Sequence, residues 1–327
     1  MPVLPVIDFT DFASRSAQAR QEIAMEIHQA IIETGFFYLD GHGLETSIAD
    51  CMAAAQWFFD CPQADKREMA IEKSSCHRGW YTIGGETLDA RHHPEGDYKE
   101  GLKIGQDLDP SHPFVQMGLP LHGPNLWLKE DPENQACKAR KFNNSMRDTY
   151  QHFSQLSTTL MQAFALGLGL AENYFDRYFL TPMATLSPLY YPSLKPHKGR
   201  ISAGAHTDFG CLSLLAQDQT NGLEIQTKDG QWLAIPYREN ALVVNIGDML
   251  SFWTGGVYPS TIHRVVNTSD RPRRSVVFFF DPQHDTPLDI ITPNAQLDGR
   301  VSENSLTALQ HLLNKISNSF RYKDFND

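Results

Sequence analysis

Ala205-His206-Thr207-Asp208-Phe209-Gly210 and Thr261-Ile262-His263-Arg264-Val265 decide how this chain is read, together with Arg273-Arg274-Ser275 and the apolar run Val276-Val277-Phe278-Phe279-Phe280 behind it. A histidine and an aspartate two apart point the same way on a strand, because side chains there alternate with period two. His206 and Asp208 then face one side, and His263 joins them only if its strand lies alongside. A small β-barrel supplies that arrangement, since distant strands point inward onto one cavity. Arg273 and Ser275 are again two apart, so both can face the cavity. A guanidinium beside a hydroxyl is suited to gripping a carboxylate. Two imidazoles and one carboxylate on one face of an octahedral metal leave the opposite face open to substrates. That is the arrangement expected of a non-haem Fe(II) oxygenase.

The rest of the chain supplies a frame for such a barrel. Residues 3–9 read as a short strand. Ile23, Ala24, Ile27, Ala30 and Ile31 recur at helical spacing within residues 17–33, and an aromatic strand follows at 35–39. A second helix is predicted over Glu45–Phe59, stopped by Pro62. Residues 74–128, rich in Gly, Pro and His, read as loops that wrap a scaffold and can close over a site. Residues 133–170 give the longest helical pattern. Short β-rich runs then follow at Leu212–Ala216, Leu223–Gln226, Trp232–Ile235, Ala241–Ile246, Met249–Trp253 and Val276–Phe280, with a hairpin signal at Lys228-Asp229-Gly230. A final helix is expected near Ser305–Ser317. The expected organisation is one domain over 1–327: an N-terminal helical and strand part (1–180), a barrel core with the metal site (about 181–285), and a C-terminal helix and tail (286–327).

Composition narrows the partners. The net charge of −11 argues against a nucleic-acid or anionic-membrane partner, which would want a basic patch. The five cysteines, odd in number and without a CxxC, suit reduced thiols, not a disulfide framework or a zinc site. The amino terminus lacks a basic region ahead of an apolar stretch, and no run approaches the ~20 apolar residues that cross a bilayer. The expected location is cytoplasmic, as a monomer or weak homo-oligomer acting on a small molecule.

With these segments in view, the chain resembles the isopenicillin N synthase-like branch of the Fe(II)/2-oxoglutarate-dependent dioxygenases, whose pattern is HxD, a distal His, then RxS. The likeness extends to Leu4-Pro5-Val6-Ile7-Asp8-Phe9, Gly35-Phe36-Phe37, Arg78-Gly79-Trp80-Tyr81, Lys99-Glu100-Gly101-Leu102, Gly123-Pro124-Asn125-Leu126-Trp127 and Gly222-Leu223-Glu224-Ile225. It implies a mainly β, α+β fold: a distorted double-stranded β-helix (jelly-roll, cupin-like) barrel flanked by helices. It implies Fe(II) on His206, Asp208 and His263, with 2-oxoglutarate and O2 as cosubstrates. The far carboxylate of 2-oxoglutarate would pair with Arg273 and Ser275, helped by Tyr191 from Tyr190-Tyr191-Pro192. Leu189 departs from the pattern, standing where relatives often carry asparagine. Succinate and CO2 would be coproducts, hydroxylation the default outcome, with desaturation or ring closure also open.

Phe209, Trp253, Phe280, Tyr81 and Lys103 are substrate-pocket candidates, each as readily structural when taken singly. Phe280 lies five residues from Ser275 and so falls on the other face of a regular strand. His93-Pro94-Glu95 also fits HxD/E but has no matched distal segment and reads as a loop. His42, His122 and His197 have no partner spacing and read as structural or surface residues. Two other readings stay open: an Fe(II) oxidase of the same fold that closes rings or uses ascorbate without 2-oxoglutarate, and a non-catalytic binding module on the barrel.

Overall fold

Strand β1 (Val6–Asp8) lies parallel to β2 (Phe36–Asp40), and helix α1 (Ala17–Thr34) connects them. Ser16 caps α1 by accepting from the Ala19 amide, and Gly35 ends it in the left-handed region at φ 73°. A Cβ at Gly35 would meet the Thr261 hydroxyl at 2.5 Å, so the end of α1 sits tightly against the segment that precedes His263. Helix α2 (Glu45–Phe59) and the single turn α3 (Gln63–Lys66) follow, then β3 (Gly79–Tyr81), β4 (Glu100–Gly105) and the short α4 (Pro113–Gln116). The long α5 (Ala136–Gly167) packs against both α1 and α2.

The remainder is mostly sheet: β5 (Thr185–Tyr191), β6 (Ala203–His206), β7 (Leu212–Gln217), β8 (Leu223–Gln226), β9 (Trp232–Ile235) and β10 (Leu242–Ile246), then α6 (Asp248–Trp253), β11 (His263–Val265), β12 (Arg273–Phe280) and α7 (Ala308–Ser319). This computed structural model describes residues 4–130, 136–194, 200–290 and 306–320. The ends of three expected elements (Val3, residues 133–135 and Ser305), His197 and the tail beyond residue 320 lie outside the described residues.

Two sheets form the double-stranded β-helix. One has eight strands in the order β1-β2-β10-β7-β12-β5-β4-β3, and the other has four in the order β6-β11-β8-β9. Alternation along β12 sorts its side chains. Phe278 stacks on Phe153 of α5 and Phe280 on Phe179, whereas Arg273, Val277 and Phe279 line a cavity inside the barrel. On the neighbouring β5, Thr185, Ser187, Leu189 and Tyr191 line the same cavity. Helix α7 opens with a reciprocal capping box between Thr307 and Gln310 and turns Leu312 and Ile316 onto the cavity.

Three expectations about elements need correction. Met249–Trp253 is helical, because a short apolar run behind Gly247-Asp248 reads equally well as a strand or a buried helical turn. The loop-rich stretch 74–128 contains β3 and the wholly buried β4, which pairs with β5 in the main sheet. Glu100 is buried on that strand, paired with Lys66 at 2.8 Å and accepting from the Trp80 indole at 2.6 Å. The last helix starts at Ala308. All five cysteines are unpaired. Among the described residues, no helix is long and apolar enough to cross a membrane.

Candidate active site

His206 is the last residue of β6, and β11 pairs with β6 so that His263 stands directly opposite it. The two rings lie 4.3 Å apart, centroid to centroid. Asp208 sits just past the strand end, in a turn held against the start of α6. The Asp208 carbonyl accepts from the Asp248 amide at 2.8 Å, and the Gly210 carbonyl from Met249 at 2.9 Å. Glycine is required at 210, since a Cβ there would meet the Asp281 carboxylate, which itself accepts from the Cys211 amide at 3.0 Å. The result is a converging donor set. Asp208 Oδ1 is 3.8 Å from His206 Nε2 and 3.7 Å from His263 Nε2, and the three donor atoms lie within 4.8 Å of one another.

Backbone carbonyls fix which imidazole nitrogen faces inward. His206 Nδ1 lies 2.7 Å from the Gly204 carbonyl, and His263 Nδ1 3.1 Å from that of Thr261. Because a carbonyl can only accept, each Nδ1 carries the proton, which leaves Nε2 as the nitrogen with the lone pair when the ring is neutral. Burial, then the neighbouring His263, push the His206 pKa down to about 3, so that ring is neutral. For Asp208, burial favours the protonated form, but the two imidazoles and the Asn245 and Ser213 side chains outweigh it and lower the pKa. Neutral imidazoles and an ionised carboxylate are the ligand states a divalent metal needs. The donor chemistry fits Fe(II).

Asn245, buried on β10, donates to Asp208 Oδ2 at 2.7 Å and leaves Oδ1 for a metal. Sequence reasoning passed over it. The signal was a lone amide in an otherwise apolar strand. Asn245→Ala is expected to weaken Fe(II) binding about 10- to 100-fold by freeing the carboxylate to rotate. Metal titration checks this, and wild-type affinity in the variant would show that the amide does not orient Asp208.

Arg273 is fully buried at the head of β12. One Nη donates to Ser275 Oγ at 3.3 Å, the other to Gln217 Oε1 at 3.1 Å, and Nε has no partner. Tyr191 pairs across from it on β5, with its ring centroid 5.0 Å from the guanidinium carbon. Among the described residues no carboxylate pairs with Arg273. An uncompensated buried cation is costly, so an anion bound beside this one would be strongly favoured. Gln217 was also missed, being unremarked at the end of its strand. Arg274 points to the opposite face, over Tyr190, and Arg271 is exposed in the preceding bend.

The triad and Arg273 open into one cavity, with an empty volume of about 1250 Å³ counted out to its mouth. Of the five pocket candidates, Phe209 and Lys103 line it. Tyr81 stands behind the lining, donating to Glu86 Oε2 at 3.3 Å. Trp253 and Phe280 lie outside the cavity and belong to the apolar core. Trp253 stacks on Phe175 and donates to the Pro287 carbonyl, while alternation turns Phe280 away and leaves Phe279 in the wall. His93 and Glu95 sit in a loop, as expected.

The cavity wall also holds a charged cluster that the sequence reading did not assemble. Lys99 Nζ contacts Asp97 Oδ2 at 2.7 Å and Glu86 Oε2 at 2.9 Å, and Lys103 Nζ lies 3.5 Å from Glu86 Oε1. Asp97 Oδ1 accepts from the Gly204 amide, which ties the cluster to the strand that carries His206. Burial opposes the charge on Glu86, but both lysines outweigh it and hold the carboxyl low. Burial lowers the Lys103 pKa, with Glu86 pulling against it.

Known proteins share this architecture. Residues 4–130 match the N-terminal region described for a non-haem dioxygenase in morphine synthesis, and residues 173–282 match the 2OG-Fe(II) oxygenase superfamily. The 2-oxoglutarate-Fe(II) type oxidoreductase hxnY of Emericella nidulans is 34% identical over 289 residues, covering 86% of this chain and 80% of its own. Clavatol oxidase claD of Penicillium crustosum is 32% identical, with 97% and 96% covered. The crystal structure of a full-length Neurospora crassa protein in complex with alpha-KG and thymine superposes with a TM-score of 0.80 at 26% identity, covering 96% of each chain. The chain therefore belongs to the 2OG-Fe(II) oxygenase superfamily, as a 2-oxoglutarate-dependent dioxygenase that carries the non-haem dioxygenase amino-terminal region.

Proposed function

We propose that the protein hydroxylates a small organic substrate, with succinate and CO2 as coproducts. His206, Asp208 and His263 hold Fe(II), and Arg273, Ser275 and Tyr191 hold the far carboxylate of 2-oxoglutarate. The observation that carries this is the pairing, in one cavity, of a converging three-donor set with a buried arginine that lacks a carboxylate partner among the described residues. Bound together, Fe(II), 2-oxoglutarate and O2 supply the oxidant that replaces a substrate hydrogen with a hydroxyl group. The chain's own part is to fix Asp208 through Asn245, to hold each imidazole by its Nδ1 proton, and to keep the substrate among apolar walls away from water.

The same reading takes residues 1–327 as one oxygenase domain, working in the cytoplasm as a monomer or weak homo-oligomer without nucleic-acid partners. Its acidic balance, −11 overall, supports the last point.

Purified protein supplied with Fe(II), 2-oxoglutarate and air is expected to release succinate, faster when a substrate is present, with the product about 16 Da heavier, the mass of the one oxygen atom gained. Mass spectrometry of both products checks this. Oxygen uptake without succinate would favour an oxidase of the same fold that does not use 2-oxoglutarate. A product lighter by two hydrogens would move the reaction to desaturation or ring closure.

A further inference from the structure

Resting on that reading, we propose that the primary substrate is a flat, apolar carboxylic acid whose carboxylate is bound by Lys103. Lys103 lies on β4, two strands from β12, and Lys99 stands just ahead of that strand, with both side chains reaching Glu86. Both lysines line the cavity that holds the triad. Their situations differ. Lys99 is held between Asp97 and Glu86 at 2.7 and 2.9 Å, whereas the ion pair of Lys103 is the longer contact to Glu86, at 3.5 Å. Glu86 is already engaged by Lys99 and by the Tyr81 hydroxyl.

The other surroundings of Lys103 are aromatic. Its ammonium lies 5.3 Å from the Phe279 ring centroid, 5.7 Å from that of Phe320 and 5.8 Å from that of Tyr81. Ring faces attract a cation but are poor acceptors for its three N–H donors. The side chain is 10% exposed, so water does little to satisfy it. A buried ammonium with spare donors, aimed into a cavity, is matched by an anionic oxygen pair. Arg78, next to the β3 glycine that pairs with Lys103, also lines the cavity, and no carboxylate lies within 4 Å of its guanidinium among the described residues.

The body of the ligand follows from the neighbouring surface. Leu88, Phe209, Phe279, Leu312, Ile316 and Phe320 line the cavity, with donors and acceptors concentrated at the triad, at Arg273 and at the Lys103 cluster. A flat ring or unsaturated chain buries well between such side chains. Anchored at Lys103, it lies across the same cavity as the metal ligands. Lys103 is near enough to the triad to feel the charge of Asp208.

The test measures equilibrium binding, under anaerobic conditions with Fe(II) and 2-oxoglutarate present, of benzoate, phenylacetate and cinnamate against their carboxamides. Wild-type protein is expected to bind at least one acid about 10- to 100-fold more tightly than its amide, the range of a charge-assisted hydrogen bond. Lys103→Met is expected to erase that preference, and Lys103→Arg to keep it. 2-Oxoglutarate binding in the same titrations reports whether each variant is folded. Equal binding of acids and amides by the wild type overturns the proposal. So does a preference that survives in Lys103→Met, or a failure of all three acids to bind. Succinate formation by wild-type protein is followed in parallel. If it persists while acid selectivity is absent, the substrate class fails and the oxygenase reading stands.

Discussion

A His263→Ala protein retains less than about one hundredth of the wild-type affinity for Fe(II), a larger loss than removing an outer hydrogen-bond partner causes. It forms succinate at about a thousandth of the wild-type rate or less, the consequence of losing several kcal/mol of metal-derived stabilisation. Three donors converge here, and they come from β6, the turn behind it and β11. Removing one leaves His206 and Asp208 alone on one side, with no third group among the described residues positioned to replace it. The ring of His263 also packs edge-on against Phe36, 5.5 Å between centroids, so some stability is lost with it. Metal content after dialysis, read beside the thermal midpoint, separates the two effects. A folded variant that kept a full complement of iron would remove His263 from the site.

Arg273→Leu produces the second large effect, and it has two parts of opposite sign. Affinity for 2-oxoglutarate falls about 30-fold or more, since truncating one member of a buried charge pair costs about 2–5 kcal/mol. The ligand-free protein, by contrast, is not destabilised and can gain. With no anion bound, wild-type Arg273 is a buried cation whose only polar partners among the described residues are Ser275 and Gln217, and whose Nε has none. A leucine removes that penalty. Thermal shift with and without 2-oxoglutarate reads both parts at once: a large ligand-induced rise in the wild type, little in the variant. Arg273→Lys restores only part of the affinity, because an ammonium lacks the planar fork. A ligand-free Arg273→Leu protein that melts well below the wild type would mean that the guanidinium is structural and not a waiting anion site.

The converging triad and the Arg273–Ser275 pair were legible because their geometry is local. Two-residue spacing puts Arg273 with Ser275 on one face of β12, while Asp208, just past the end of β6, is brought to His206 by the turn held against α6 and not by strand alternation. The pairing of His263 with His206 needed only that two strands be neighbours. Helices α1 and α2 were equally plain, each with a periodic apolar stripe and a clear stop at Gly35 or ahead of Pro62.

Strand β4 was illegible for a physical reason. It falls in the stretch 74–128 that reads as loop, and only the folded chain shows that Glu86, Asp97 and Lys66 neutralise Lys99, Glu100 and Lys103 inside the protein. Charges buried in mutual pairs carry no apolar signature. Asn245 and Gln217 escaped for the same kind of reason, since their partners are distant in sequence. Trp253 and Phe280 show the converse: large aromatics near a motif belong to the core unless the alternation turns them inward.

Strand β12 works as a ruler along the cavity. Arg273 marks one end and Phe279 the other, six residues apart, or about 20 Å at the usual rise of an extended chain. Each alternate residue is a graduation facing the interior, and the rungs between are bolted to the layer behind through Phe278 and Phe280. If Arg273 and Lys103 each hold a carboxylate as proposed, two guests sit in one chamber at separate addresses, and retailoring the wall near Phe279 leaves the grip at Arg273 undisturbed. A chamber graduated in this way can change the molecule it accepts without relearning its chemistry.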